Sequence, residues 1–526
     1  MTVIDSFASD GLPPLEEWPD LLIEPLGYPQ RLNCAAALLD ETIAAGHGGD
    51  IALLGDSEVL TYDELRVKVD RICHVLVGEL GIVSGNRVLL RAPNNPTLVA
   101  CWLAVAKAGG IVVATMPLLR RKELTEVIEH AEIGLALCDD RLLEELAGAC
   151  ERVVSFAELA ELAADKPAVF DPVDTAADDV VLIGYTSGTS GTPKGTLHFH
   201  RDVLAVCDSF SREVLRPNAT DVFIGSPPIA FTFGLGGLVL FPMRVGAASV
   251  LLEQAGPDEL LAGIERHRAT ICFTAPTAYR RMLSVGVSGR VESLRRCVSA
   301  GEALPATVYH AWLEATGIRL IDGIGATEML HIFISAADDD ISPGATGRAV
   351  PGYEARVVDE QMRDVEPGTV GRLAVRGPTG CRYLNDPRQR DYVRDGWNLT
   401  GDAYVLDEDG YFIYQARLDD MIVSGGYNIA GPEVEQTLLG HAAVAECAVI
   451  GWPDEARGMI VKAFVVLRGG DEPALEPSDA LARELQDYVK AQLAPYKYPR
   501  AIQFIEDLPR TETGKLRRYA LRESGS

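Results

Sequence analysis

The run Tyr185-Thr-Ser-Gly-Thr-Ser-Gly-Thr-Pro-Lys-Gly195 holds the residues of this chain best suited to chemistry. The ten residues from Thr186 to Gly195 carry five hydroxyls (Thr186, Ser187, Thr189, Ser190, Thr192), three glycines and Lys194. Glycines such as Gly188 and Gly191 let backbone N–H groups turn toward an anion, hydroxyls add donors, and the ammonium adds charge. That combination is suited to gripping a polyphosphate. A Walker-type loop is excluded, because it needs Gly-Lys-Ser/Thr, and here Pro193 precedes Lys194 and Gly195 follows it. A polar surface turn has no use for so many donors.

Other polar clusters follow apolar stretches. They are Ser299-Ala-Gly-Glu302, Asp322-Gly-Ile-Gly-Ala-Thr-Glu328, Thr400-Gly-Asp402, Arg417-Leu-Asp419 and Pro509-Arg-Thr-Glu-Thr-Gly-Lys515. Glu328 offers hard oxygens to Mg²⁺; read alone it also fits a carboxylate at a helix start. Asp402 equally suits a turn, Arg417 a surface ion pair, Lys515 a solvated tail, and Gly425-Gly426 a plain turn.

Parallel β/α units must position these groups. Thr61-Tyr-Asp-Glu64 reads as a capping box opening a helix with Leu65, Val69, Ile72 and Leu76 on one face. Strand-like Val88–Leu90, a helix over 98–108, Ile111–Ala114, a helix over 123–130 and Gly134–Cys138 come next. The alternation resumes after residue 220, with Val222–Gly225, Leu235–Phe241, Ser249–Leu252, a helix over 258–267 and Ile271–Thr274. From 347 to 414 the chain reads as short strands rich in Gly, Pro and Asp, a small β-barrel or antiparallel sheet. Residues beyond 420 have their own β/α pattern. The expected fold is α/β: a large N-terminal domain (1–418) of parallel-type sheets with a β-barrel subdomain, then a small mobile α/β domain (419–526).

A net charge of −28 argues against sequence-independent binding to nucleic acid or an anionic membrane, and leaves anionic substrates to local cations. Ten scattered cysteines, without C-x-x-C or a Cys/His cluster, point to reduced thiols rather than disulfides or zinc. The N-terminus reads as no signal peptide, the C-terminus carries no peroxisomal or prenylation signal, and no apolar run reaches membrane-spanning length. The expectation is a cytoplasmic protein, monomer or homodimer, with no membrane or nucleic-acid partner.

Taken together, the ordered clusters resemble the adenylate-forming superfamily of acyl- and aryl-CoA ligases over essentially the whole chain. Asp322–Phe333, Ser299–Pro305 and Phe233-Gly-Leu-Gly236 resemble the benzoate and 2-aminobenzoate CoA ligases, and Ala114–Leu119 tilts toward the aminobenzoate branch. Ile324 replaces a tyrosine common elsewhere in the superfamily, as it does in the benzoate branch. The resemblance implies ATP and CoA as substrates, with Mg²⁺, and two half-reactions. A carboxylate attacks the α-phosphorus to give acyl-AMP and pyrophosphate; the CoA thiol then displaces AMP. A carrier-protein pantetheine in place of CoA stays open, as does a catalytically inactive nucleotide-binding protein.

The same resemblance implies roles by position. Thr186, Ser187, Gly188, Thr189, Ser190, Gly191, Thr192 and Lys194 would cradle the phosphates, and Gly301, Glu302, Asp322, Gly323, Thr327, Asp402 and Arg417 the rest of ATP. Glu328 would hold the metal, and Lys515 would join Glu328, Thr327 and Lys194 in catalysis. Asp419 would be the hinge, and Gly425 and Gly426 would line a pantetheine tunnel. Phe231, Phe233, Gly234, Gly301, Ile324, Gly325, His331 and Ile334 would form the acyl pocket. No aspartate in Pro227–Gly237 stands ready for an α-ammonium group, which disfavours an amino acid. His331 could meet a ring substituent or be a core histidine, and the phenylalanines could be plain core. His198 and His200 read as structural.

Overall fold

A computed structural model describes residues 4–186, 193–424, 427–454, 458–469, 476–493, 496–510 and 516–523. Ser187, Gly188, Thr189, Ser190, Gly191, Thr192, Gly425, Gly426 and Lys515 lie outside the described residues, as does the side chain of Asp419. The chain forms two compact units, Met1–Ala355 with Ala374–Leu399, and Arg356–Leu373 with Thr400–Ser526.

The first unit opens with strands β1 (Ile51–Leu54) and β2 (Val59–Thr61). Six more follow: β3 (Arg87–Arg91), β4 (Ile111–Thr115), β5 (Leu135–Cys138), β6 (Arg152–Ser155), β7 (Val180–Thr186) and β8 (Lys194–Phe199). These six make one sheet in the order β6-β5-β3-β4-β7-β8, parallel except for the β7–β8 hairpin. Next come β9 (Val222–Gly225), β10 (Ala248–Val250), β11 (Ile271–Thr274), β12 (Arg296–Ala300), β13 (Leu320–Gly325), β14 (Ile332–Ser335) and β15 (Arg348–Ala349). With β1 and β2 they build a nine-stranded sheet, β15-β14-β13-β12-β11-β9-β10-β1-β2, parallel from β13 to β1.

Burial on both faces explains why these strands read as continuous apolar runs rather than alternating ones. Every residue of β3 is buried, and the adjoining helix Pro96–Lys107 is buried all round. The helix Tyr62–Gly78 starts at the capping box, where the Glu64 N–H donates to the Thr61 hydroxyl and the Thr61 N–H donates back to the Glu64 carboxylate. Its predicted face, Leu65, Val69, Ile72 and Leu76, is buried. Residues 235–245 fold as helical turns, packing Leu238, Val239 and Phe241 into the core.

In the second unit Asp402–Leu406, the end of the strand Trp397–Leu406, pair antiparallel with Phe412–Arg417, with Asp402 opposite Arg417. Strands Ile422–Ser424, Tyr427–Ile429, Val444–Asp454, Gly458–Leu467 and Ala501–Phe504 form a further sheet, on which helices Gly431–Leu439 and Asp479–Gln492 bury Val434, Leu438, Leu485 and Val489. The α/β class read from the sequence is the class observed. Among the described residues no helix is long and apolar enough to cross a membrane.

Candidate active site

In parallel α/β sheets, ligands gather beyond the carboxyl ends of the strands. In the first unit those ends carry the predicted groups. β7 and β8 form an antiparallel hairpin with Thr186 opposite Lys194. Gly301 follows β12 with φ +87°, a left-handed conformation that favours glycine, and half-buried Glu302 comes next. β13 delivers Asp322, Gly323, Ile324 and Gly325, then a tight turn at Thr327–Met329 that ends on Leu330 at φ +66°.

Close packing sets the position of this turn. A Cβ on Gly184 of β7 would stand 2.7 Å from Thr327 Cγ2, so the glycine lets Thr327 approach β7. His198 of β8 lies 2.8 Å by Nε2 from the Thr327 carbonyl, which can only accept, so Nε2 carries the hydrogen. His198 and Arg382 flank Asp202, all fully buried, with Arg382 ion-paired to Asp202 and stacked over Phe199 at 4.1 Å. Burial opposes the Asp202 charge, but Arg382, helped by His198 and the Phe199 N–H, holds its pKa below the usual carboxylate range.

Glu328 is buried and accepts a hydrogen bond of 2.5 Å from the Tyr383 hydroxyl. Burial and the neighbouring carboxylate push the phenol pKa far up, so Tyr383 stays a donor. The Lys194 ammonium stands 5.1 Å from the centre of the same ring. Tyr383 arrives on a segment laddered to β8: the Leu197 N–H donates to the Arg382 carbonyl, and the Leu384 N–H to the Gly195 carbonyl, each at 2.8 Å. Sequence reasoning missed Tyr383, Arg382 and Asp202, and took His198 as structural. The polar run Arg382-Tyr-Leu-Asn-Asp-Pro387 was a signal, but no spacing ties it to Glu328.

Among the described residues no cluster of three or more His, Cys, Asp or Glu could hold a metal alone. One oriented carboxylate fits Mg²⁺, which keeps waters and takes phosphate oxygens from its nucleotide. Asp322 of β13 sits opposite Ser299 of β12. Its Oδ1 is enclosed without a hydrogen-bond partner, and burial, offset in part by the Gly323 backbone and the Ser299 hydroxyl, raises its pKa to about 8.

Beside Thr327 lies a small hollow whose lining includes Trp102, Ala114, Gly184, Phe231 and Leu235. Phe231 thus joins Thr327, whereas Phe233 belongs to an adjoining aromatic cluster. There His331 is ringed by Phe210, Phe233, Phe241 and Phe273, at centroid distances of 4.6 to 6.4 Å. Neither imidazole nitrogen meets a hydrogen-bond partner at normal geometry among the described residues. Burial, against weak help from the Phe233 backbone, lowers its pKa to about 3, so the ring is neutral. Gly234 packs against the Pro228 carbonyl, Ile324 pairs with Ile334, and Gly325 is exposed at the end of β13.

In the second unit, an Arg417 N–H donates to the Asp402 carboxylate at 3.2 Å and to the Thr400 carbonyl at 3.0 Å. Gly401, at φ +77°, lets the guanidinium lie close to the backbone. Asp402 and Arg417 therefore meet as a pair.

The AMP-binding enzyme model matches residues 40–383, and its C-terminal domain model matches 433–515. The chain belongs to the AMP-binding enzyme family. It is similar to a benzoate–CoA ligase of Thauera aromatica, 35% identical over 94% of this chain and 97% of the relative. The solved anthranilate CoA ligase AuaEII, in complex with anthranoyl-AMP, superposes with TM-score 0.89 at 34% identity, over 95% of this chain and 98% of that one. A benzoate CoA ligase from Burkholderia xenovorans LB400 superposes with TM-score 0.85 at 32% identity, over 93% and 100%. As a member of this family the chain is an AMP-forming acid–thiol ligase, with ATP and CoA as substrates and Mg²⁺ in attendance.

Proposed function

We propose that this enzyme activates an aromatic carboxylic acid, 2-aminobenzoate first and benzoate otherwise, as its acyl-AMP and passes the acyl group to CoA. The observation that carries the aromatic acid is the small hollow beside Thr327, to which Trp102, Phe231 and Leu235 contribute apolar walls. A flat ring suits such walls, and a carboxylate at the Thr327 end would face the nucleotide. The ortho amino group would be met by neutral His331, in the aromatic cluster adjoining this hollow, which has a donor and an acceptor to offer.

Negative charge grows on phosphate and carboxylate oxygens in the first half-reaction, so donors and cations already in place lower its barrier. Thr186, the 187–192 segment and Lys194 hold the β- and γ-phosphates. Thr327 donates to the α-phosphate, and Gly301, Glu302, Asp322 and Gly323 border the nucleotide. Asp402, steadied by Arg417, accepts from ribose hydroxyls. Mg²⁺, when bound, would screen the phosphate charge, and Glu328 is the side chain that would hold it.

Lys515 contributes its ammonium to the first half-reaction. Residues 419–526 then turn about Asp419, and Gly425 and Gly426 line the path of the pantetheine thiol. ATP–pyrophosphate exchange over benzoate, 2-aminobenzoate, hydroxybenzoates and fatty acids tests the reading, followed by thioester assay with CoA and with a carrier-bound pantetheine. Exchange supported by fatty acids but not by benzoates would overturn it.

A further inference from the structure

We propose that Tyr383 is a positioning residue for the metal–triphosphate end of the site, aiming the Glu328 carboxylate with its hydroxyl and steadying the Lys194 ammonium with its ring. The inference rests on the reading of Glu328 as the Mg²⁺-facing group. Tyr383 is 1% exposed and Glu328 8%, so the phenol and carboxylate meet largely out of water. At 2.5 Å their contact has the length of a charge-assisted O–H···O⁻ bond. It engages Oε1, and no other hydrogen bond reaches this carboxylate among the described residues. Oε2 is thereby left for a cation.

The ring is itself held firmly. The Tyr383 N–H donates to the Gln389 side-chain oxygen at 2.9 Å, the ring packs edge-on to Tyr392 at 5.7 Å, and the backbone ladder fixes the segment to β8. β8 begins at Lys194, so the residue that orients the carboxylate also grips the strand that carries the cation. A lysine on a flexible stem gains direction from an aromatic face at 5.1 Å. One side chain thus sets the spacing between the anion that meets the metal and the cation that meets the phosphates.

Tyr383→Phe removes the hydroxyl and keeps the ring; Tyr383→Leu removes both. Adenylation is followed by ATP–pyrophosphate exchange across a Mg²⁺ series, ATP binding by calorimetry with and without Mg²⁺, and the second half-reaction by thioester formation from supplied acyl-adenylate. Tyr383→Phe should raise the Mg²⁺ concentration for half-maximal exchange about tenfold, the scale of a lost hydrogen bond to a charged group. It should weaken ATP binding only when Mg²⁺ is present and leave thioester formation within about twofold of wild type, since that step does not use the metal–pyrophosphate complex. Tyr383→Leu should weaken ATP binding without Mg²⁺ as well. In a Glu328→Gln background, Tyr383→Phe should add nothing. If Glu328→Gln leaves the Mg²⁺ dependence intact, the reading of Glu328 fails. If Glu328→Gln shifts it and Tyr383→Phe does not, the role of Tyr383 is overturned, as it is by equal loss in both half-reactions.

Discussion

Adding one carbon at Gly184 tests how tightly Thr327 is placed. The new Cβ would lie 2.7 Å from Thr327 Cγ2, whereas carbon pairs settle at about 3.5–4.0 Å. Roughly 1 Å must therefore be found. β7 is a central strand hydrogen-bonded on both sides, and Thr327 is β-branched with its backbone tied to His198, so the turn bearing Thr327 is what gives. Overpacking of this kind costs about 1–3 kcal/mol. Taken from the adenylation transition state at about 1.4 kcal/mol per factor of ten, this is a roughly 5- to 150-fold slowing. The assay is ATP–pyrophosphate exchange for Gly184→Ala, beside thioester formation from supplied acyl-adenylate, with Gly49→Ala, whose added carbon meets nothing within 4 Å, as the control. Thr327→Ser deletes Cγ2 and keeps the hydroxyl, so the double variant should regain most of the lost exchange. Exchange within twofold of wild type in Gly184→Ala, or no recovery in the double variant, would refute the claim that this contact sets the position of Thr327.

Lys515→Ala should slow adenylation about a hundredfold, the scale of a lost charge-stabilising donor, while thioester formation from supplied acyl-adenylate largely survives; equal loss in both steps would contradict that division. A bulky residue at Gly425 should do the reverse, and a normal CoA step in that variant would count against the tunnel. His331→Leu, which fills the aromatic cluster without polar nitrogens, should lower kcat/KM for 2-aminobenzoate about tenfold or more relative to benzoate, read from paired exchange rates; an unchanged ratio would remove His331 from substrate choice. Asp322, with a folded-state pKa of about 8 against about 4 when unfolded, keeps a proton over that window that the unfolded chain has lost. Stability therefore falls as pH rises from about 4 to 8, and Asp322→Asn should flatten that slope; parallel melting curves of the two proteins across this range would exclude the effect.

Local pattern carried most of the fold. The capping box at Thr61, the strand Val222–Gly225 and the helix over 258–267 depend on near neighbours along the chain, and each stands where the pattern put it or within a residue or two. Residues 235–245 were harder, because a fully apolar run fits a buried strand and a buried helix alike, and only packing decides. At the site, the ordering of polar clusters led to the ends of β7, β12 and β13, since glycine- and hydroxyl-rich loops have a composition of their own. What holds those clusters did not show. Tyr383 is 55 residues from Glu328, and Arg382 is 180 from Asp202. Neither separation follows a helical or strand period.

Those unseen partners have a common physical origin. A buried carboxylate such as Glu328 or Asp202 requires a donor or a cation, but any segment the topology brings near can supply it. Here one short ladder against β8 supplies both: Arg382 carries the cation for Asp202, and Tyr383 the donor for Glu328. Successive side chains of an extended segment point to opposite faces, so adjacent residues reach the two carboxylates on either side of the same strand. Loss of the charge at Arg382 should consequently damage more than its ion pair with Asp202. Arg382→Met leaves Asp202 buried without its cation, a loss on the order of 3–5 kcal/mol, and loosens the segment that presents Tyr383. Arg382→Met with Asp202→Asn removes the uncompensated charge, so unfolding measurements should show much of the stability regained while the Mg²⁺ dependence of exchange stays shifted. Recovery of both together would mean that Arg382 acts on Glu328 through charge alone, and not through the placement of Tyr383.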